Sequence, residues 1–286
     1  MRYEAPETID TAVSLLAGAG GDARVLAGGT DLLVQLRAEM IEPELVVDVK
    51  KIQSMRTITE ENGGFRIGAA VAGAELSEHP KVKAAWPGVV EAVDLIGSTQ
   101  IQGRASMGGN LCNGSPAADS VPAMIAAGTM VSIAGPNGER EVPAEEIIVG
   151  PGKTSLAKGE IVTSLFLPAR PPRSGDAYLR FIPRTEMDIA VVGAGVSLTL
   201  DEGGTCTAAR VSLGAVAATP LLVQEAADAL IGTKLDDAAM EALAAAASAA
   251  CNPIDDKRGT KDFRIKVAGV LARRAAQIAL ERARGN

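Results

Sequence analysis

The sequence predicts an α+β fold in two parts, residues 1–172 and residues 173–286. In the first fifty residues, helical spacing of apolar side chains alternates with short β-branched runs, as in a small β/α unit. Near the other end, three strand-like segments precede three helical segments, which is the order typical of an α+β domain. The boundary between the parts lies at 169–176, which begins directly after Pro168 and contains Pro171 and Pro172.

The elements of the first part follow from periodicity and from turn residues. Ile9, Val13 and Leu16 have helical spacing, which predicts a helix over 8–17 that ends at a run of glycines. Residues 97–120 are glycine-rich and polar and predict a long loop. The other predicted elements are a strand over 24–27, a helix over 31–40, strands over 45–49 and 65–68, helices over 73–78 and 88–96, an apolar run over 121–127, a hairpin with arms 130–134 and 139–142, and a strand over 161–167.

The second part reads as strands followed by helices. Its predicted strands cover 177–182, 190–200 and 205–213, and Asp-Glu-Gly-Gly at 201–204 turns the second strand into the third. Its predicted helices cover 220–231, 236–250 and 261–284. Hydrophobic residues make up 47% of the chain and charged residues 22%, which is enough apolar material for packed cores.

Composition argues against several functional classes. The net charge is −7, which disfavours bulk binding to nucleic acid or to a membrane surface. Four Phe, two Tyr and one Trp are too few for base-stacking platforms. The one histidine, His79, precedes a proline in a polar stretch and is expected at the surface, so a histidine-rich metal site is excluded.

The cysteines and the termini indicate a cytoplasmic protein. Cys112, Cys206 and Cys251 are far apart and form no C-x-x-C pair, which predicts free thiols and no iron–sulfur cluster on this chain. The first residues lack a signal-peptide pattern, and no apolar run is long enough to span a membrane.

Residues 257–286 are basic within an acidic chain, with nine basic residues against two acidic ones, a net charge of +7. The apolar residues expected on the packed face of this helix are Phe263, Val267, Leu271, Ala275 and Ile278. The arginines expected mainly off that face are Arg273, Arg274, Arg282 and Arg284. Two interpretations stay open: a solvated helix face, or a docking surface for an acidic partner.

A first glycine motif lies where a predicted strand ends and a predicted helix begins. Its residues are Ala27, Gly28, Gly29, Thr30, Asp31 and Leu32. Adjacent glycines allow a sharp turn with exposed N–H groups, and the helix adds unpaired N–H groups and the positive end of its dipole. That combination suits a phosphate group. A structural turn without a ligand is the alternative, and the G-x-G-x-x-G fingerprint is absent.

A second glycine motif, Ala-Ser-Met-Gly-Gly-Asn at 105–110, opens sixteen positions dominated by small and polar residues. A loop with so little bulk is typical of a segment against which a ligand lies. Ser106 and Asn110 can hydrogen-bond a phosphate or a sugar, and Asp119 can accept hydrogen bonds from sugar hydroxyls. Two phosphate-suited loops, about 80 residues apart, favour a ligand with a diphosphate held from both sides.

The two motifs together resemble those of the FAD-binding medium subunits of molybdenum hydroxylases. This is the family of carbon monoxide dehydrogenase and of bacterial xanthine dehydrogenases that are split into subunits. Two later segments are similar to the family as well, YLRFIPRTEMDIA at 178–190 and DKRGTKDFR at 256–264. The resemblance runs from about residue 1 to the end of the chain. The sequence departs from it at Arg180, where many members have lysine, and at Phe263, where tyrosine is usual.

The resemblance implies a two-lobed FAD-binding domain of the vanillyl-alcohol-oxidase type, with lobes over about 1–55 and 56–172. A C-terminal domain over 173–286 would follow, a small antiparallel sheet covered by helices. The residues implied as FAD contacts are Ala27, Gly28, Gly29, Thr30, Asp31, Leu32, Ser106, Gly108, Gly109, Asn110, Asp119, Val162 and Arg180.

Several of these residues have individual roles by resemblance. The two loops would hold the diphosphate, Asp119 would lie near ribityl or ribose hydroxyls, and Val162 would be an apolar contact. Arg180 would place a cation near the isoalloxazine ring, and an ordinary surface charge is its alternative. For Arg184 and Asp188 an internal salt bridge is the preferred interpretation.

The resemblance also implies partners. Family members work beside a large molybdopterin subunit and a small subunit with [2Fe–2S] clusters, as a dimer of heterotrimers. Electrons would pass from the clusters to FAD on this chain and then to an external acceptor. The alternatives are a free-standing FAD-dependent oxidoreductase of the same fold, a non-flavin NAD-binding protein, and a binding protein that has lost its cofactor.

Overall fold

The N-terminal lobe is a three-stranded parallel sheet flanked by helices. A computed structural model describes residues 1–285 of the chain. The elements of this lobe are β1 (Arg2–Glu4), α1 (Ile9–Gly18), β2 (Ala23–Leu26), α2 (Leu32–Arg37) and β3 (Leu45–Asp48). The strand order is β1-β3-β2, with β3 pairing in parallel with both neighbours. The parallel arrangement places the ends of β2 and β3 at one edge, and the first glycine motif follows β2 there.

The second lobe is a five-stranded antiparallel sheet with helices inserted between its strands. Its elements are β4 (Ile58–Glu61), β5 (Gly64–Gly68), α3 (Gly73–Ser77), α4 (Pro80–Ala85), α5 (Pro87–Asp94), α6 (Met107–Cys112), α7 (Ser120–Ala126), β6 (Met130–Gly135), β7 (Gly138–Pro143), β8 (Ile148–Gly150), β9 (Lys153–Thr154) and β10 (Ile161–Leu167). The strand order is β4-β5-β10-β6-β7, with β8 and β9 forming a separate small ladder. The predicted hairpin of β6 and β7 is confirmed.

The C-terminal part is an antiparallel sheet covered by helices. Its elements are β11 (Ser174–Phe181), β12 (Val192–Leu200), β13 (Cys206–Gly214), β14 (Leu221–Leu222), α8 (Gln224–Asp228), α9 (Asp237–Ala249) and α10 (Lys261–Gly285). The strands follow one another in chain order, β11-β12-β13-β14. Helix α10 packs on β11 and β12, where a Cβ at Gly175 would overlap the Ala279 carbonyl oxygen. The glycine therefore permits close contact between helix and strand.

Helix α7 connects the second lobe to the C-terminal sheet. It packs on β12 and β13, and all seven of its residues are buried. A Cβ at Gly195 would lie 2.6 Å from the Pro122 carbonyl oxygen, and one at Gly214 would lie 2.7 Å from Pro122 Cγ. These small residues let the helix lie directly on the sheet. The segment that precedes α7, which follows the second glycine motif, is thereby brought beside the C-terminal part.

Three sequence predictions differ from the structure. The helix expected over 220–231 is replaced by β14 and the short α8, because Leu221 and Leu222 pair with β13. The loop expected over 97–120 contains helix α6, which Ser106 caps by accepting a hydrogen bond from Gly109 N. His79, expected at the surface, is half-buried and caps α4 through Nδ1.

The packed face of α10 also differs from the prediction. Leu271 and Ala275 are buried as expected, but Phe263 is 41% exposed, and Val267 and Ile278 are only partly buried. The rest of the buried face is mostly alanine, at 268, 272, 276, 279 and 283. Helix α10 lies so close to the C-terminal sheet that mostly small side chains fit between them. They therefore occupy the face on which larger residues were expected.

No helix within residues 1–285 is long and apolar enough to cross a membrane.

Candidate functional site

The two glycine motifs face one cavity of about 420 Å³, a volume within the usual range for ligand pockets. Segments from both N-terminal lobes form its walls, with Leu16, Arg24 and Met55 on one lobe and Ile96 and Lys158 on the other. Eleven of the thirteen predicted site residues line it: Ala27, Gly28, Gly29, Thr30, Asp31, Leu32, Ser106, Gly108, Gly109, Asn110 and Val162. The structure thus brings together two motifs that are far apart in sequence.

The first loop is pressed against the second. A Cβ at Gly28 would overlap the carbonyl oxygen of Arg104, so only glycine fits between the two backbones. Gly29 has φ +81°, a left-handed conformation that favours glycine. Both glycines are therefore needed for the turn itself, whatever the loop binds.

A partly buried polar network fixes the first loop, and no sequence motif predicted it. Lys50 Nζ donates to the carbonyl oxygen of Ala27 at 3.0 Å and pairs with Asp48 Oδ1 at 2.7 Å. Tyr3 donates its hydroxyl to Asp48 Oδ2 at 2.7 Å. These hydrogen bonds lower the pKa of Asp48 despite its partial burial. No motif marks these residues, although an aspartate at the end of a buried strand is a usable signal.

The second loop is held mainly by its own side chains. Ser106 Oγ accepts from Gly109 N at 3.1 Å, and Asn110 Oδ1 accepts from the backbone N and the hydroxyl of Ser120 at 3.1 and 2.7 Å. A Cβ at Gly108 would lie 2.7 Å from Ala69 Cβ. The serine hydroxyl hydrogen and the asparagine amide nitrogen are the groups left to face a ligand.

The site suits an anion because of its backbone. Helices α2 and α6 both begin at the cavity, and the first N–H groups of a helix have no partner within it. Most charged side chains in the wall are already paired: Arg24 with Asp22, Glu160 with Arg140, and Lys158 with the Ala19 carbonyl oxygen. Asp31 is the exception among them, and burial raises the pKa of its carboxyl group.

Val162 supplies an apolar part of the cavity wall. It is 3% exposed and lies on β10, where the pairing with β6 shifts register between Val162 and Ser164. At the shift, the Thr163 carbonyl oxygen accepts from Ala69 N at 3.0 Å. The register shift therefore lets β10 bond to Ala69, the residue that packs on Gly108 of the second loop.

Asp119 and Arg180, the other two predicted contacts, are not among the residues that line the cavity. Asp119 accepts from Arg180 Nη1 at 2.9 Å and from the Tyr178 hydroxyl at 3.2 Å. Arg180 also donates to the Leu95 carbonyl oxygen, and its side chain is 5% exposed, so it is not a surface charge. Burial raises the pKa of Asp119 to about 6, with Arg180 opposing the rise. Asp119 makes no capping hydrogen bond to α7.

The two C-terminal signatures form one ionic network. The expected pair of Arg184 with Asp188 is confirmed at 2.9 Å, and Arg258 bonds the same aspartate at 3.2 Å. These hydrogen bonds, Arg184 first, lower the pKa of Asp188 to about 2. Asp256 pairs with Arg264, whose side chain is 4% exposed. The signatures therefore hold the C-terminal part together and do not line the cavity.

Comparison with known families and proteins agrees with this geometry. The family described as FAD binding domain in molybdopterin dehydrogenase matches residues 1–170, and the CO dehydrogenase flavoprotein C-terminal domain matches residues 177–279. The carbon monoxide dehydrogenase medium chain of Afipia carboxidovorans is 36% identical over 282 residues, which cover 99% of this chain and 97% of that one. The xanthine dehydrogenase FAD-binding subunit of Escherichia coli O157:H7 is 31% identical over 285 residues, with 99% and 97% covered.

Solved structures support the same fold. Reconstituted CO dehydrogenase from Oligotropha carboxidovorans contains a chain that matches with a TM-score of 0.95 at 36% identity, covering 99% of this chain and 98% of that one. Quinoline 2-oxidoreductase from Pseudomonas putida 86 gives a TM-score of 0.90 at 27% identity, with the same coverage. The expected α+β fold is confirmed, and the chain belongs to the family of FAD-binding medium subunits of the molybdenum hydroxylases.

Proposed function

We propose that this chain holds FAD between its two glycine loops and serves as the electron-transfer subunit of a molybdenum hydroxylase. The observation that carries the proposal is the convergence of eleven predicted residues, from three separate segments, on one cavity. The proposal divides the chain into an FAD-binding domain over residues 1–172 and a C-terminal domain over residues 173–286.

The fit of FAD to the site rests on the loops. Besides both glycine loops, the cavity is lined by Asp22, Arg24, Met55 and Ile96. A Cβ added at Gly109 would have only Ser106 Oγ within 4 Å, so open space lies beside the loop backbone. Backbone donors from both loops suit a diphosphate, and the apolar wall suits an aromatic ring.

Each residue has a proposed part in holding the cofactor. The N–H groups of residues 28–32 and of Gly108 would donate to the diphosphate, with the Ser106 hydroxyl and the Asn110 amide nitrogen as further donors. Asp31 would accept hydrogen bonds from sugar hydroxyls, and Val162 would exclude water from a ring face. FAD, when bound, accepts electrons and passes them on, while the protein supplies position and electrostatics.

Asp119 and Arg180 are proposed as contacts at the edge of the site. Their ion pair lies beside Leu95, next to the cavity residue Ile96, which supports a position near one end of the cofactor. Since each neutralises the other, the pair would add little net charge there.

The proposed partners are a large molybdopterin subunit and a small [2Fe–2S] subunit, assembled as a dimer of heterotrimers. Electrons would come from the clusters and leave to an external acceptor. Support comes from the relatives, which are named medium chains and FAD-binding subunits. We also propose a cytoplasmic location, which the three free cysteines support.

Helix α10 offers one candidate docking face. Arg274 and Arg284 are exposed and Arg273 is half-buried, within 3.8 Å of Asp237. Arg282 does not join this face, because it pairs with Glu91 and donates to the Asp176 carbonyl oxygen. We propose that the three remaining arginines help to dock an acidic partner surface, with a solvated face as the alternative.

The test is purification of the chain alone and together with the chains encoded beside it. A two-band flavin spectrum from the chain alone, with cofactor released as FAD, is the expected result. Copurification of a molybdenum chain and an iron–sulfur chain would support the subunit role. A yellow chain that purifies alone from that co-expression and oxidises substrates unaided would instead be a free-standing oxidoreductase.

A further inference from the structure

The segment 113–119, which links the second glycine loop to α7, is held in place from outside. The Gly114 carbonyl oxygen accepts from Gly152 N at 2.9 Å, and Asn113 Oδ1 accepts from Gln35 Nε2 at 3.4 Å. The Pro116 carbonyl oxygen accepts from Ala215 N at 2.7 Å. The donor of the last bond, Ala215, belongs to the C-terminal part and lies directly after β13. The position of a cofactor-site segment therefore depends on a residue outside the FAD-binding lobes.

Ala215 adopts an unusual conformation to make that bond. Its φ is +64°, in the left-handed region that alanine rarely occupies. Such a conformation persists only where the surroundings hold it. Both ends of the residue are held here, because its N–H bonds to Pro116 and its carbonyl oxygen accepts from Arg264 Nη1 at 3.2 Å. Arg264 is thus one of the two anchors of this strained residue.

Arg264 ties three segments together from a buried position. It is 3% exposed and lies in the first turn of α10. Besides Ala215, its Nη1 donates to the Val191 carbonyl oxygen at 2.7 Å, and its Nη2 donates to Asp256 Oδ1 at 2.8 Å. A guanidinium group can bond several acceptors at once because its donors form a rigid planar fork. A buried charge that meets two carbonyl oxygens and one carboxylate fixes their relative positions.

We propose that Arg264 is a positioning residue for the cofactor site. It holds the Ala215 peptide, and Ala215 holds segment 113–119 through Pro116, so the second glycine loop stays in register with the first. The proposal rests on the proposed function, since it takes the two loops as the FAD site. It gives the C-terminal signature at 256–264 a role in cofactor retention, although none of its residues lines the cavity.

The experiment compares Arg264→Met with a matched control, Arg170→Met, in the full chain. Arg170 is also buried, with a side chain 9% exposed, and also pairs with an aspartate, Asp176, at 2.8 Å. It contacts neither glycine loop in any described hydrogen bond or ion pair. Loss of either arginine should lower the urea midpoint. Arg170→Met removes the ion-pair partner of the buried Asp176, and Arg264→Met removes the buried donor to the Val191 and Ala215 carbonyl oxygens.

Two measurements separate positioning from general destabilisation. The first is the FAD dissociation constant from quenching of flavin fluorescence, and we expect it to rise about tenfold in Arg264→Met only. The second is amide hydrogen exchange of peptides covering 113–119, which should accelerate in Arg264→Met only. An unchanged dissociation constant, or an equal loss in both variants, would overturn the proposal.

A second variant covers the case in which Arg264→Met does not fold. Arg264→Lys keeps the positive charge beside Asp256 but lacks the fork that reaches Ala215 as well. It should fold, exchange faster at 113–119 and bind FAD more weakly than the wild type. Wild-type affinity with wild-type exchange in this variant would overturn the inference. Failure of the wild-type chain itself to bind FAD would instead overturn the proposed function.

Discussion

Replacing Gly109 by valine tests whether the second glycine loop holds FAD. The added Cβ would lie 2.9 Å from Ser106 Oγ and would meet no other heavy atom within 4 Å beyond its chain neighbours and the backbone of α6. Gly109 lines the cavity, so the remaining methyl groups have that space to occupy. The substitution therefore places apolar bulk where the diphosphate is proposed to lie, and it disturbs one flexible side chain of the protein.

The magnitudes of the two effects differ. Displacing the Ser106 hydroxyl weakens the cap of α6, which costs about 1 kcal/mol of folding free energy. Valine has a higher helix propensity than glycine, which restores a few tenths of a kcal/mol of folding free energy. FAD affinity should fall at least ~100-fold, which corresponds to about 2.8 kcal/mol. The variant should therefore fold nearly as well as the wild type and yet lose its cofactor.

Gly108→Ala is the matched control, because its side chain points into the protein. Its Cβ would lie 2.7 Å from Ala69 Cβ and would overlap the Ala69 carbonyl oxygen, so we expect a loss of about 1–3 kcal/mol in unfolding free energy. The measurements are flavin content per chain, the FAD dissociation constant by fluorescence quenching, and urea unfolding of the apoprotein. A Gly109→Val protein with wild-type flavin content and affinity would refute the loop assignment.

Three other predictions follow from the charged groups. Asp119→Ala should lower the unfolding free energy of the apoprotein by about 3–5 kcal/mol, because Arg180 loses its buried counter-charge. An unchanged urea midpoint would contradict this prediction. The same variant should also bind FAD more weakly, by about 1–3 kcal/mol, as measured by FAD titration. Burial raises the pKa of Asp119 and of Asp176 to about 6, so the folded state binds protons that the unfolded state releases between about pH 4 and pH 6. The stability that comes from these protons is fully present below pH ~4 and is lost as pH rises through ~6. The free energy of unfolding in urea should therefore be higher at pH 5 than at pH 7, by about 1 kcal/mol per carboxyl group. A free energy of unfolding that does not change between these pH values would exclude the raised pKa values. Arg273→Glu with Arg274→Glu should loosen the assembly with partner chains at constant flavin content, most strongly at low salt, because salt screens the charges that the substitutions reverse. Survival of the complex at low salt with unchanged affinity would assign the arginines to a solvated face.

The sequence alone determined the features that depend on local geometry. Paired glycines after a strand and before a helix mark a tight turn, and both glycine motifs are recognisable from such pairs alone. The β6–β7 hairpin and the long C-terminal helix follow from turn residues and periodicity, which act between residues close in the chain. The resemblance to the medium subunits then supplied the ligand, because phosphate-suited loops by themselves do not name one.

Which side chains meet follows from the fold and not from the local sequence. Asp119 and Arg180 were both expected at the cofactor, and only the fold reveals that they neutralise each other across 61 positions of sequence. The Asp48 network and the bond between Ala215 and Pro116 have no local signature, since their partners come from distant segments.

Packing also decided the buried face of α10. The apolar pattern favoured a face with Phe263 and Ile278, but the close approach of α10 to β11 at Gly175 requires small residues there. Helical periodicity establishes that a helix has an apolar face. How near the neighbouring backbone lies determines whether large or small side chains fill that face, and only the folded chain fixes that distance.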